Sequence, residues 1–99
     1  MILVVGTVRA PAGKLDALKD AIATMIAETH KEDGCIRYAF AQDLLYPDLM
    51  HVSEAWRDRE ALAAHGKSAH MADWRAATAG VGMTERDIRL YETDEGIAL

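Results

Sequence analysis

The sequence predicts an α+β fold of the ferredoxin-like, split βαβ kind (β-α-β-β-α-β), built on a four-stranded antiparallel sheet. Three observations predict it. Hydrophobic periodicity runs strand, helix, strand, strand, helix, strand along the 99 residues. Turn-forming residues at Pro11-Ala12-Gly13, Asp33-Gly34, Pro47-Asp48 and Gly80/Gly82 separate those segments. Both rows of the first strand are largely apolar, with Ile2, Val4 and Val8 on one and Leu3 and Val5 on the other. Both sheet faces therefore need cover. Helices can cover one. A chain this short has little left for the other, so a second copy is expected there, giving a homodimeric α/β barrel.

Each element has its own signal. Ile2 to Ala10 is β-branched and reads as the first strand. From Lys14 to about Lys31, Leu15, Leu18, Ile22, Met25, Ile26 and Thr29 recur at helical spacing, with Lys14, Asp16, Lys19, Asp20 and Glu28 on the wet side. Gly34 can take the left-handed conformation that ends such a helix. Cys35 to about Leu44 alternates again, placing Ile36, Tyr38 and Phe40 in one row. Pro47 stops the ladder, and Leu49 to Arg57 forms a hairpin partner with Met50, Val52, Glu54 and Trp56 in one row. Asp58 is placed to cap a helix running to about His65 and stopped by Gly66. Ser68 is placed to cap a second short helix carrying Met71, Trp74 and Thr78. Met83 to Tyr91 is the last strand, and residues 93–99 form a polar tail. The whole chain, 1–99, reads as a single domain.

Composition removes several function classes. The net charge is −5, which argues against nucleic-acid binding through phosphate neutralisation. One cysteine rules out an intrachain disulfide or a cysteine zinc cluster. No stretch approaches the ~20 apolar residues of a membrane span. Met1 to Val5 has no basic leader and continues into the strand pattern, which fits a cytoplasmic protein better than a secreted one.

The candidate chemistry concentrates between Glu54 and His65. His65 falls one turn after Ala61 and Leu62, so it faces inward. Imidazoles ordinarily titrate near ~6.5, which suits proton abstraction from a phenol. Its plainer role is a core histidine held by a carboxylate or carbonyl. Glu54 sits mid-strand in an apolar row, where a carboxylate is costly unless paired. It pairs with His65 or with an arginine such as Arg37, or it lines a polar pocket; in the working reading it orients His65. Trp56 and Trp74 offer flat area for an aromatic ligand. Tyr38, Phe40, His51 and His70 are further candidates for a cavity wall. His65 and His70 are five residues apart, not at metal-ligand spacing on one helix face, and no third ligand is evident, so no metal is expected. Cys35 reads as a small buried apolar group.

Gly34-Cys35 with Tyr38, then Asp43, Pro47, Glu54-x-Trp56, Asp58, Ala61-Leu62, His65, Ser68 and His70, resembles the antibiotic biosynthesis monooxygenase (ABM) domain. The resemblance covers nearly the whole chain. It implies a dimeric α+β barrel and a cofactor-free oxygenase acting with O2 on a small electron-rich aromatic such as a quinol or polyphenol. His65 and Glu54 would then be catalytic, and Trp56, Tyr38, Phe40, His51, His70 and Trp74 would bind substrate. Heme-degrading relatives use an asparagine on the first strand with a tryptophan and a histidine; this chain has no asparagine and offers Thr7 there. A non-catalytic small-molecule-binding or stress-response dimer is the main alternative, with heme binding behind it.

Overall fold

The computed structural model describes residues 1–99. β1 (Ile2–Arg9) leads to two helices, α1 (Lys14–Ala17) and α2 (Lys19–His30). The hairpin β2 (Cys35–Gln42) and β3 (Leu49–Trp56) follows, then α3 (Arg59–Gly66), α4 (Ala69–Thr78) and β4 (Thr84–Glu92). The strands form one four-stranded sheet in the order β2-β3-β1-β4, every neighbouring pair antiparallel. This is the predicted ferredoxin-like plan. No helix is long and apolar enough to cross a membrane.

Register decides which row meets the helices. Glu54 lies opposite Val4 on one side and Tyr38 on the other, and Val4 in turn lies opposite Leu90. That row of the sheet packs under the helices. Ile2, Tyr38 and Trp56 meet Met25 of α2 and Ala61 of α3 in one buried cluster. Val8, Met50 and Val52 meet Leu15 of α1 in a second. Each fully buried apolar side chain of this kind contributes roughly 1.5–3 kcal/mol. The opposite row carries Leu3, Val5, Ala39 and Tyr91, and no helix of the chain lies over it; Val5 is 38 % exposed and Tyr91 48 %.

Three local features depart from the sequence pattern. The helix expected over 14–31 is broken at Leu18, whose backbone flattens to φ −92°, ψ −2°. The break lets α1 lay Leu15 against Val8 and Met50 while α2 aligns Met25 with Trp56. Secondly, the pairing of β2 with β3 shifts register between Cys35 and Arg37. Ile36 is the extra residue of that bulge and is 59 % exposed, so it does not share the inward row of Tyr38 and Phe40. Thirdly, β2 ends at Gln42, two residues earlier than its apolar pattern suggests, and Leu44 and Leu45 stand 99 % and 80 % exposed on the hairpin tip.

Two glycines are required by close approach. A Cβ on Gly6 would lie 1.9 Å from the Asp87 carbonyl oxygen, so β1 and β4 can pair closely only if that position has no side chain. Gly34 has φ +83°, and a Cβ there would lie 2.6 Å from the Ala61 Cβ. The turn into β2 is thereby pressed against α3, the helix that carries His65. Gly34→Ala combines a left-handed alanine with overpacking, so a loss of about 2–4 kcal/mol is expected, read from the urea midpoint.

Candidate active site

Capping places the site's histidines. The Asp58 carboxylate accepts from the Ala61 backbone N–H at 2.8 Å and starts α3. The helix stops after Gly66, and the Ser68 hydroxyl both donates to the His65 carbonyl at 2.7 Å and accepts from the Met71 N–H at 3.3 Å, opening α4. The chain turns between the two helices. His65 at the end of one and His70 at the start of the other therefore converge instead of diverging around a single helix, and their rings lie 5.8 Å apart.

The carboxylate between them is Glu32, in the turn after α2. One oxygen, Oε2, lies 2.6 Å from His65 Nδ1 and 3.0 Å from His70 Nε2. Sequence reasoning did not single out Glu32. It lies 33 residues before His65, in a polar turn of ordinary composition, and only the fold brings the two together. The expectation that Glu54 orients His65 is corrected. The Glu54 Oε1 instead accepts from the Trp56 indole N–H at 2.9 Å, two residues along the same strand. Glu54 is only 8 % exposed, and burial, the largest influence, pushes its carboxyl above the usual range against the pull of that hydrogen bond. Burial likewise pushes the Tyr38 phenol far above its ordinary value and raises the Cys35 thiol, which fits an unreactive cysteine.

A cleft of about 890 Å³ opens between the sheet and α3–α4. Tyr38, Phe40, Glu54, His65 and Trp74 all line it, with Val4, Val52, Leu62 and Met71 supplying apolar wall. Phe40 and Trp74 lie tilted with centroids 5.9 Å apart. His65 has no protein partner for Nε2, and that atom is not sealed from the cleft. Three expected residues lie elsewhere. Trp56 is wholly buried beneath the cleft, its ring tilted 38° to that of His65 with centroids 4.8 Å apart, because its inward row lies under α3 and the indole fills the core. His51 is on the other sheet face, exposed and 2.8 Å from Asp43. His70 faces Glu32 and not the cleft. Arg75, Arg86 and Met50 line the cleft without having been anticipated, since nothing in a one-dimensional pattern distinguishes them from ordinary helix-surface or strand residues.

A four-stranded antiparallel sheet covered on one face by helices, with a histidine-bearing cleft on the covered side, defines a ferredoxin-like α+β domain. Its family follows from comparison: the antibiotic biosynthesis monooxygenase model matches residues 1–77, and the chain belongs to that family. Among solved structures, a Deinococcus radiodurans protein described as a candidate antibiotic biosynthesis monooxygenase is 26% identical. It superposes with a TM-score of 0.88 over 100% of this chain and 98% of that one. A Nitrosomonas europaea protein of the same description is 25% identical, with a TM-score of 0.84 over 94% of this chain and 98% of that one. A conserved protein from Methanosarcina mazei Go1 is 28% identical, with a TM-score of 0.82 over 94% and 92%. Comparison with curated proteins gives no match.

Glu54 gives a pH-dependent prediction. Its folded carboxyl is raised above the ordinary 4.5, so the native state keeps a proton that the unfolded chain releases. Stability then falls as pH rises from about that value to the folded one, and levels off beyond it. Glu54→Gln keeps an oxygen acceptor for Trp56 and carries no charge. Its stability relative to the parent chain should be lowest in acid, increase above pH 4.5 and then plateau, read by urea denaturation across pH.

Proposed function

We propose that the protein is a cofactor-independent monooxygenase for a small electron-rich aromatic, of the quinol or polyphenol class. The observation that carries this reading is His65: Nδ1 is held by the Glu32 carboxylate at 2.6 Å, while Nε2 is unpartnered beside an aromatic-walled cleft. A neutral imidazole that donates from Nδ1 to a carboxylate has its lone pair on Nε2, the arrangement of a general base. His65 takes the proton of a phenolic hydroxyl. The phenolate is electron-rich enough to reduce O2: a C–O bond forms at a ring carbon ortho or para to the phenolate oxygen that still carries hydrogen, and the proton held by His65 passes to the distal oxygen to give a hydroperoxide, whose O–O bond breaks as that carbon loses its hydrogen. Loss of water from that adduct leaves a quinone carbonyl. One oxygen atom enters the substrate and the other leaves as water, and the substrate supplies both electrons.

The surroundings support that sequence of steps. Phe40 and Trp74 offer faces for a planar ring. Apolar wall from Val52, Leu62 and Met71 excludes water, and because burial disfavours an isolated phenolate, the phenolate forms beside the imidazolium of His65 that has taken its proton. Tyr38 and Glu54 offer polar atoms on the same wall, and the raised phenol of Tyr38 keeps it a hydrogen-bond donor. Glu32 is the positioning residue that Glu54 was expected to be.

The experiment is oxygen uptake by chelator-treated protein across a panel of quinols and anthrones. The expected outcome is turnover that drops about 10²-fold or more in His65→Ala. Glu32→Gln should lower kcat with little change in KM, because it disturbs the base and not the ring-binding wall. Ligand-induced thermal stabilisation without uptake would replace this reading with the binding-protein one.

The homodimer belongs to the same proposal. The sheet face bearing Leu3, Val5 and Tyr91 has no cover within the chain. Face-to-face packing of two such sheets would bury it and place one cleft in each half of a barrel. Sedimentation equilibrium should give a dimer at micromolar concentration, and Val5→Glu, introducing a charge into that face, should give a less stable monomer.

A further inference from the structure

Glu32 and Glu54 are both largely buried, and neither is ion-paired with a lysine or arginine. Burial is the main influence raising the Glu54 carboxyl and the Cys35 thiol; Glu32 adds to both and Glu54 adds to the second, while the Trp56 hydrogen bond, His65 and Arg86 draw the Glu54 carboxyl down. The strongest contacts of Glu32 are two imidazoles, which compensate its charge only weakly while neutral. Arg75, Arg86 and Arg89 line the cleft, but none of them pairs with Glu32, whose carboxylate faces two nitrogen donors.

The geometry points to a divalent-cation site at Glu32, His65 and His70, of the kind that takes Zn2+. One ligand atom from each of the three lies within 4.8 Å of the others. Their side chains are 15 %, 5 % and 17 % exposed, so the fold has already desolvated and gathered them. They come from three separate segments, namely the turn after α2, the end of α3 and the start of α4. The turn at residues 66–68 overcomes the objection from spacing. Five residues apart on one helix would point the histidines away from each other, whereas across a helix break they converge. Two imidazoles and one carboxylate suit zinc, cobalt(II) or nickel(II). Bonds of about 2.0–2.2 Å set ligand atoms roughly 3.4 Å apart, so the present 2.6 and 3.0 Å separations need to open by about 0.4–0.8 Å, while ligand atoms now as much as 4.8 Å apart draw together. Rotation of the Glu32 side chain can supply the opening. The open coordination positions would take water or an oxygen-bearing ligand. Binding at Nδ1 also moves the His65 proton to Nε2, so the metal-loaded and base-competent forms of His65 exclude each other.

The test uses Co2+ as the probe and does not depend on turnover, so it is separate from the fate of the oxygenase reading. Chelator-treated protein is titrated with Co2+, followed by its visible absorption, and the bound ion is then displaced with Zn2+. The expected result is one Co2+ per chain with the intense bands of a low-coordinate site. His70→Ala and Glu32→Gln should weaken binding at least ~10-fold, and His51→Ala, on the far face of the sheet, should leave it unchanged. Circular dichroism shows which variants fold; if Glu32→Gln does not, His70→Ala decides. Absence of these bands in the parent protein, or equal binding in His70→Ala, would overturn the site.

Discussion

One carboxylate ties the functional half of the molecule together. Glu32 sits in the turn that ends α2 and leads into β2, its backbone N–H donating to Thr29 and its carbonyl accepting from Cys35. Its side chain crosses to α3 and α4 and receives both of their histidines. A buried carboxylate is expensive unless its acceptors are filled. Two nitrogens on one oxygen meet that need and bridge the angle between α3 and α4 that the Ser68 cap turns. The cleft lies beneath that angle. The orientation of His65 and the shape of the space it faces thus depend on the same contact.

Trp56 plays the complementary part from below. It is the most deeply buried large side chain, and its indole N–H cannot be left without an acceptor. Glu54 supplies one from two residues away on the same row. The row is otherwise apolar, so Glu54 bears the desolvation cost and its carboxyl rises. Ring packing then passes upward from Trp56 to His65 and Tyr38. The glutamate that stands out in the strand is thus a partner for the tryptophan, while the glutamate that serves the histidine stands in an unremarked turn. A mid-strand carboxylate attracts notice because it violates the strand's pattern; a carboxylate in a turn violates nothing.

Much of the architecture was legible residue by residue. Asp58 and Ser68 were readable as caps because short acceptors ahead of apolar helical spacing satisfy orphan N–H groups, and both make those bonds. Gly34 was readable as a turn, although its tight approach to Ala61 was not. Phe40, Tyr38, Glu54, Trp74 and His65 could be named as cavity candidates because strand and helix periods group them into shared rows, and the fold brings all five to one cleft. Ile36 shared that period and fell out of it, because a bulge adds a residue without leaving a mark in the sequence. Trp56 had the right row but lay too deep to reach the cleft, since depth depends on which helix lies above.

By itself the sequence determined the order of strands and helices, their polarity and the family resemblance, because these are local consequences of side-chain period, turn chemistry and motif. The tertiary structure alone decided which sheet face the helices cover, which carboxylate meets His65, and whether His65 and His70 diverge or meet. Those outcomes depend on strand register and on the turn between two helices. A change of one residue in register, or a few degrees at that turn, would exchange one set of neighbours for another without altering any local propensity.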